Sequence, residues 1–230
     1  MKLIFVHGAG GGKNEWLCQT LHFLDSEAVA LPGHPAGTPC SSVDEYMEWL
    51  HGYIQQQKYR DVVLVGHSMG GAIVQLYALK YGTALKGIIL VGTGARLRVA
   101  PAILSSLKEM TTNADAWQQF LSDNIYRQVI PEAKPAVIAE RVRIGPAVML
   151  NDSLACDKFD IMDRVQSIRL PTMIIVGSQD TWTPPKYSQY LASRITGATQ
   201  VTIDGGSHWV FLEKPQEVNR AISDFLTRLS

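Results

Sequence analysis

The chain has 230 residues, of which 46% are hydrophobic and 18% are charged, a composition typical of a globular protein. Its 21 basic and 21 acidic residues give a formal net charge of zero, and no long run of like charge interrupts the sequence. That balance argues against a nucleic-acid partner and against a basic patch for a membrane surface. We expect one domain that carries an insertion.

The cysteines and the N-terminal residues indicate whether the protein binds a metal and in which cellular compartment it is found. Cys18, Cys40 and Cys156 are far apart, odd in number and match no metal-binding spacing, which favours free thiols in a reducing compartment. The apolar run at residues 3–6 is too short for the core of a signal peptide or for a membrane span. The sequence therefore predicts a cytoplasmic protein without a metal site or a membrane span.

Short apolar runs alternate with helical patterns along the chain, which is typical of a parallel sheet with helices on both faces. The predicted strands are residues 2–6, 27–30, 61–65, 87–91, 172–176 and 200–203. The predicted helices are residues 14–24, 43–57, 69–80, 185–193 and 215–229. The strands are rich in Val, Ile and Leu with little alternation, so they suit a sheet that is buried on both faces. The predicted fold class is α/β with a mostly parallel sheet.

Residues 95–169 break this alternation. They contain no convincing strand, and prolines at positions 101, 131, 135 and 146 would separate short amphipathic helices. The interval is too long for a bare loop in a compact domain. We therefore predict a helical insertion, residues 95–169, in a core formed by residues 1–94 and 170–230.

Ser68 stands in the motif G-x-S-x-G, written here as Gly66-His67-Ser68-Met69-Gly70, between a predicted strand and a predicted helix. At such a turn the serine is held in a strained conformation, and its neighbours must be small. Its hydroxyl then lies at the N-terminus of a helix, where backbone N–H groups stabilise an oxyanion. This context predicts that Ser68 is a nucleophile.

A serine nucleophile needs a base, and the base needs an acid that orients it. Asp180 follows the strand at 172–176, and His208 follows the strand at 200–203 through a Gly-Gly turn. Both would lie at the carboxyl ends of parallel strands, where open α/β sheets bind their ligands. The alternatives are a turn-forming aspartate and a loop histidine. Asp204 is the rival acid, but it is too close to His208 in sequence to face the imidazole easily.

The loop His7-Gly8-Ala9-Gly10 directly follows the first predicted strand. A glycine-rich loop in that place supplies a backbone N–H to an oxyanion hole, so the predicted donors are the N–H groups of Ala9 and Met69. His7 is expected to hold the loop by a local hydrogen bond rather than to act as a base. A phosphate-binding loop is excluded because Asn14 follows Lys13 where that motif requires Ser or Thr.

Together, the stretches HGAGG, GHSMGG, GSQDTWTP and GGSHWVFLEKPQEV resemble the α/β-hydrolase superfamily, in its compact cofactor-free esterase, lactonase and C–C hydrolase branch. The resemblance covers residues 1–94 and 170–230, and it implies that the insertion is a cap over the active site. It also implies a small ester or acyl substrate, a Ser-His-Asp triad and no cofactor. The chain starts at the strand before HG, without the family's usual first hairpin, which predicts about six strands. His34, in ALPGHPAGTP, is expected to be structural.

The substrate is less well defined by the sequence. Trp182 and Trp209 adjoin the predicted acid and base, and they are expected to line the pocket together with Trp117, Phe120 and Met149 of the insertion. The insertion also carries Tyr126 and Phe159, and packing within helices is the commoner role for such side chains. A substrate carboxylate could be clamped by arginines, although ion pairs are their commoner role; the candidates are Arg96, Arg98, Arg141 and Arg143. Two alternatives stay open: a C–C hydrolase or lyase acting on a carboxylate-bearing substrate, and a small-ligand receptor with a vestigial triad. A monomer or homodimer is expected.

Overall fold

A computed structural model describes residues 1–125, 127 and 129–229 of the chain. The strands are β1 (Lys2–Val6), β2 (Ser26–Val29), β3 (Val62–His67), β4 (Leu85–Val91), β5 (Thr172–Gly177) and β6 (Thr199–Ile203). The helices are α1 (Leu17–His22), α2 (Val43–Gln57), α3 (Met69–Tyr81), α4 (Pro101–Met110), α5 (Ala114–Asn124), α6 (Lys134–Lys158), α7 (Pro185–Arg194), α8 (Val210–Glu213) and α9 (Pro215–Leu229). Short 3₁₀ segments lie at Lys13–Trp16, Gly82–Ala84 and Val165–Ser167.

The strands pair in the order β2-β1-β3-β4-β5-β6, and every pairing within the described chain is parallel. This arrangement confirms the predicted α/β class and the expectation of about six strands. The chain leaves β1 towards one edge of the sheet to form β2, and then crosses to the other side of β1 to form β3. The strand order therefore reverses between β1 and β3, and such a switch point opens a crevice at the carboxyl ends of the strands.

Alternate side chains of each central strand enter different core layers, as the period of two in a strand requires. In β1, Ile4 and Val6 join the layer that contains residues of α2, α3 and α7. Leu3 and Phe5 join the opposite layer, which contains Trp16 and residues of α9. Both faces of the sheet are thus covered by apolar helix surfaces, which explains why its strands carry apolar residues without alternation.

The predicted helix at residues 14–24 is the least accurate of the predictions for the core. The structure has a 3₁₀ turn at Lys13–Trp16 and a short α1 that ends at His22, because Phe23 adopts extended backbone angles of φ −101° and ψ 94°. The chain must turn here, since β2 begins at Ser26. In contrast, α2 has the predicted bounds, and the Ser42 side chain caps it by accepting a hydrogen bond from the Glu45 N–H.

The helices α4, α5 and α6 lie between β4 and β5, in the interval where the sequence predicts short helices separated by proline. Pro101 and Pro135 lie in the first turns of α4 and α6, where a missing N–H costs nothing. Pro146 interrupts α6, and Gly145 before it adopts a φ of 80° and a ψ of 168°. The residue before proline avoids helical angles, so α6 is two helical segments joined by a kink. Among the described helices, none combines the length and hydrophobicity that crossing a membrane requires.

Candidate active site

Ser68 lies at the sharp turn between β3 and α3, with a backbone φ of 52° and ψ of −114°. Holding a non-glycine residue in such a conformation costs about 1–3 kcal/mol. Glycines let the turn close: a Cβ on Gly66 would lie 2.3 Å from the Gly70 carbonyl oxygen, and one on Gly70 would lie 2.3 Å from that of Val6. The Ser68 N–H donates to the Val91 carbonyl at 3.0 Å. The strain is therefore maintained by close backbone packing around the serine.

The backbone N–H groups of Ala9 and Met69 make no hydrogen bond within the described part of the chain. Met69 begins α3, whose first N–H groups lack helical acceptors. Ala9 belongs to the glycine loop, residues 7–12, which follows β1. A Cβ on Gly8 of this loop would lie 3.1 Å from the Ser68 Cβ, so the loop and the serine are in contact. These unpaired donors are available to an anionic oxygen beside Ser68.

His208 and Asp180 come together at the same edge, after β6 and β5 respectively. The His208 Nδ1–H donates to Asp180 Oδ2 at 2.9 Å, and both residues are buried. This bond leaves Nε2 as the nitrogen that can accept a proton. Among the described residues, neither His208 Nε2 nor the Ser68 hydroxyl has a hydrogen-bond partner, although both residues line one cavity. Such bonds commonly tighten only when substrate binds.

Asp180 is held in place from several sides. Its Oδ1 accepts the backbone N–H groups of Trp182 at 2.9 Å and Thr183 at 2.8 Å, and the Thr183 hydroxyl donates to Oδ2 at 2.8 Å. Burial alone would raise the pKa of Asp180, but the adjacent His208 ring and these hydrogen bonds outweigh it, so the pKa lies below its ordinary value. The carboxylate therefore stays ionised and keeps its orientation towards His208.

Asp204, the rival acid, is directed elsewhere. It is exposed, and its Oδ1 accepts a hydrogen bond from the Ser178 hydroxyl at 3.1 Å. The same hydroxyl accepts the N–H of Gly205 at 2.9 Å, so Asp204 belongs to the turn that follows β6. The structure thus pairs His208 with Asp180 rather than with its neighbour in sequence.

His7 and His34 are fully buried and line no part of the cavity. His7 Nδ1–H donates to the Gly8 carbonyl at 2.9 Å and Nε2 accepts the Leu31 N–H at 3.2 Å, a local role that holds the glycine loop. His34 packs beside His7 at 4.6 Å between ring centroids and pairs with Asp152. Both histidines therefore have the structural positions that the sequence led us to expect.

Asp152, on α6, is a residue that the sequence analysis missed. It is completely buried, and its Oδ2 accepts the Gly10 N–H at 2.9 Å and faces His34 Nε2 at 2.8 Å. Its Oδ1 accepts the Tyr46 hydroxyl at 2.7 Å. A carboxylate on the inserted helix is thus bonded to the glycine loop that presents Ala9. Asp152 stands between Asn151 and Ser153, so nothing in its local sequence marks it as buried.

His67, the residue before the serine, was also not assigned a role in the sequence analysis. Its Nε2–H donates to the His208 carbonyl at 3.0 Å, which ties β3 to the loop that carries the base. Burial lowers the pKa of His67 well below its ordinary value, and the neighbouring His208 ring adds to this effect. The ring is therefore neutral, and its buried Nδ1 has no partner within the described residues.

A cavity of about 420 Å³ opens above Ser68 and His208, within the range of small-molecule sites. Trp182 stacks on His208 with ring centroids 5.8 Å apart and planes at 18°. Of the residues predicted to bind substrate, the cavity wall contains Trp182, Trp209, Phe120 and Met149. The wall also includes residues that the sequence analysis did not select, among them Leu97, Val99, Ile103 and Tyr187.

Some of the selected aromatic residues lie elsewhere. Trp117 does not line the cavity; it is buried behind Phe120, with stacked rings whose centroids are 5.7 Å apart. Phe159 packs in the core layer shared with α2 and α3. Tyr126 lies outside the described residues. Helical aromatic side chains pack against either neighbouring helices or a ligand, and the sequence pattern alone does not separate these roles.

The candidate arginines differ in position. Arg143 is exposed, and Arg96 lies at the surface 3.7 Å from Asp160. Arg98 is half-exposed and lines the cavity. Arg141 also lines the cavity but is fully buried, and its Nε donates to the Glu15 carboxylate at 2.6 Å. Burial raises the pKa of Glu15, an effect that the charge of Arg141 opposes.

Comparisons with known proteins agree with this architecture. A family model described as "Alpha/beta hydrolase family" matches residues 3–221. The solved structure of a thermophilic esterase is 32% identical, with a TM-score of 0.84, and the match covers 99% of this chain and 90% of that chain. Protein ABHD8 of Bos taurus is 27% identical over an alignment of 241 positions, which covers 97% of this chain and 55% of that protein.

A further relative is much longer than this chain. The polyketide synthase ThaQ of Burkholderia thailandensis is 28% identical over an alignment of 176 positions, which covers 71% of this chain and 8% of that protein. The chain thus spans about half the length of the ABHD8 proteins and a small part of the synthase.

Proposed function

The chain belongs to the α/β hydrolase family, and from that premise we propose that it is a serine hydrolase that cleaves a small carboxylic ester. One observation carries the proposal: Ser68, in a strained strand–helix turn, shares a cavity with His208, whose Nδ1 is held by the buried Asp180. A nucleophile, a base with an available nitrogen and an orienting carboxylate at one sheet edge are the parts that acyl transfer needs. The 32% identity to a thermophilic esterase adds support.

In the first half of the reaction, His208 Nε2 removes the proton from the Ser68 hydroxyl as its oxygen attacks the ester carbonyl. Asp180 keeps the ring in the required tautomer and stabilises the imidazolium that forms. The N–H groups of Ala9 and Met69 donate to the developing oxyanion, since no other acceptor occupies them in the described chain. The imidazolium then protonates the leaving alcohol, and an acyl-enzyme remains on Ser68.

In the second half, His208 removes a proton from water as the water oxygen attacks the acyl-enzyme, and the imidazolium returns that proton to Ser68 Oγ when the acyl bond breaks and the carboxylic acid leaves. The inserted helices α4, α5 and α6 act as a cap in this proposal. Residues 97–100 before α4, Ile103 on α4, Phe120 on α5 and Met149 on α6 lie in the cavity wall. Excluding water from the oxyanion strengthens its hydrogen bonds. The cap residues therefore set both the size of the acyl group and the polarity around it.

The experiment is hydrolysis of para-nitrophenyl esters from acetyl to octanoyl by the native protein and by Ser68→Ala. We expect Ser68→Ala to remain folded and to lose activity, with a residual about 10³–10⁴-fold above the uncatalysed reaction. Ser193→Ala, at an exposed serine on α7, is the matched control and should retain full activity. An alkyl fluorophosphonate should add one adduct to the native protein and none to Ser68→Ala, as read by intact mass. Equal turnover by Ser68→Ala and the native protein would refute the proposal.

A second candidate function is hydrolysis of a C–C bond in a carboxylate-bearing substrate. It is favoured by Arg141, a buried cation in the wall of the same cavity. Folded protein that releases a ketone and a carboxylic acid from a carboxylate-bearing β-diketone, but cleaves no ester of the series, would favour it over the esterase.

A further inference from the structure

Arg141 is an unusual residue for the wall of an apolar cavity. It lies on α6 and is fully buried, and its Nε and Nη2 both face Oε1 of Glu15, with the Nε contact at 2.6 Å. Burying a guanidinium is costly unless each of its N–H groups finds an acceptor. Glu15 supplies the acceptor for one side of the group only.

The third nitrogen, Nη1, is buried and has no hydrogen-bond partner among the described residues. Arg141 lines the cavity and Glu15 does not, so Arg141 is the member of the ion pair that a ligand above Ser68 would meet. The indole ring of Trp209 lies beside the guanidinium at 5.7 Å, and its buried Nε1–H likewise has no hydrogen-bond partner in the described part of the chain. Buried donors without partners are rare in native proteins, and a ligand oxygen is one way to satisfy them.

The charges of the cavity wall also favour an anionic ligand. The described lining residues include the cations Arg98 and Arg141 and no aspartate or glutamate. Arg98 is more than half exposed, with its charge partly balanced by Asp160 at 4.0 Å. Most of the remaining wall is apolar, including Ile103, Phe120 and Met149. Such a wall favours an acyl chain that ends in an anionic group.

We propose that the cavity contains a carboxylate subsite in which Arg141 Nη1 receives an acid group on the acyl chain of the substrate. The inference rests on the proposed function and narrows it to half-esters of dicarboxylic acids. The guanidinium presents planar, fixed donors that match a carboxylate. In the reaction, the ester C–O bond breaks, water supplies the oxygen of the new carboxylate and the proton of the leaving alcohol, and a dicarboxylic acid is released.

The test compares kcat/KM for two esters after correction for their uncatalysed rates. One is the mono-para-nitrophenyl ester of adipic acid, and the other is its methyl ketone analogue, in which acetyl replaces the free carboxyl group. We expect the native protein to prefer the acid by about 10- to 100-fold, the range for a hydrogen bond to a charged group. Arg141→Met should abolish this preference. Arg143→Met, an exposed change on the same helix, should retain it.

Two further variants control for misfolding and for the sign of the effect. One should lose the preference for the acid ester, and the other should increase it. Arg141→Met with Glu15→Leu removes both buried charges together, so it leaves no unpaired ion, and it should also lose the preference. Glu15→Gln keeps the guanidinium but removes its counter-ion, so the preference for the acid should increase. A merely structural ion pair would lower the rates for both esters without changing their ratio.

Equal kcat/KM for the two esters, with a ratio that Arg141→Met leaves unchanged, would overturn the subsite and indicate that trapped water satisfies Nη1. Ser68-dependent turnover of both esters would then leave the proposed function intact. If neither ester is cleaved, the proposed function fails. Calorimetry then tests the subsite separately, by measuring whether adipate binds. Adipate binding by the native protein but not by Arg141→Met supports it, and no binding by either refutes it.

Discussion

The pairs His208–Asp180 and His34–Asp152 look alike in isolation. Their ring nitrogen to carboxylate distances are 2.9 Å and 2.8 Å, and all four residues are buried. The first pair joins two loops at the carboxyl ends of β5 and β6, whereas the second joins the loop after β2 to the inserted helix α6.

The difference lies in the second ring nitrogen. His34 Nδ1–H donates to the Pro32 carbonyl at 2.9 Å, so both nitrogens of that ring are engaged and neither can accept a substrate proton. His208 Nε2 makes no hydrogen bond in the described part of the chain, and His208 lines the cavity beside Ser68. A histidine–aspartate pair is therefore suited to base catalysis only where the fold leaves one nitrogen uncommitted and accessible.

The carboxylates differ in the same way. Asp180 receives backbone N–H groups from its own loop, which orient it towards a single imidazole. Asp152 receives groups from three distant segments, through Gly10, His34 and Tyr46. The first pair thus orients the imidazole that we propose as the base, and the second links α6 to the glycine loop.

The largest effect should come from breaking the first pair with Asp180→Asn. An amide in this position favours the wrong tautomer of His208, and we expect kcat to fall by about 10⁴-fold with the fold retained. Asp204→Asn, at the exposed rival carboxylate, should leave kcat within a few-fold of the native value, given its bond to Ser178 alone. Kinetics on the most reactive para-nitrophenyl ester check both. The reverse ranking would show that Asp180 was assigned wrongly.

Breaking the second pair with Asp152→Asn should act on stability as well as on rate. Removing one charge of a buried, hydrogen-bonded pair typically costs about 3–5 kcal/mol in the free energy of unfolding. The Gly10 N–H would lose its carboxylate acceptor, so the glycine loop and the Ala9 N–H should shift. Misplacement of a catalytic donor costs about 10- to 100-fold, chiefly in kcat.

Urea denaturation and steady-state kinetics measure the two effects of Asp152→Asn. Asp163→Asn, an exposed change in the same insertion, is the control and should alter neither. A loss of stability with unchanged kcat in Asp152→Asn would mean that the pair holds the fold without positioning the glycine loop.

The smallest expected effect is the pH dependence of stability that arises from histidines without a carboxylate partner. Burial lowers the pKa values of His7 and His67 well below the ordinary value, so both are neutral in the folded protein. The unfolded chain takes up these protons as pH falls below about 6.5, whereas the folded chain resists them. Stability is therefore fully present above this pH and should fall below it, by about 1.4 kcal/mol per pH unit for each histidine.

Urea unfolding between about pH 7 and pH 5 tests this dependence. His7→Gln keeps one donor for the Gly8 carbonyl and one acceptor for the Leu31 N–H, so the variant should fold. Its free energy of unfolding should depend less steeply on pH, because one of the two histidines that cause the dependence is gone. A slope that His7→Gln leaves unchanged would show that His7 is protonated in the folded state.

Much of this protein could be predicted from local patterns in the sequence. Apolar runs and their spacing predict each strand end to within two residues. A strand that is buried on both faces is recognised by its own apolar residues, so no information from distant segments is required. Ser68, Asp180 and His208 could be named because each follows a predicted strand. A parallel sheet brings the carboxyl ends of its strands to one edge, so residues far apart in sequence were expected to meet there.

The contacts that only the tertiary structure revealed join distant segments of the chain. Gly10 and Asp152 are 142 positions apart, and Glu15 and Arg141 are 126 apart. In the sequence, each charged member resembles an ordinary solvent-exposed residue, and nothing in its local pattern marks it as buried. A charge can be buried only where a partner compensates it. The packing of the inserted helices against the sheet determines which partner comes close enough to do so. The sequence thus determined the sheet edge at which the proposed catalytic residues meet, while tertiary packing decided which charges and donors line the cavity.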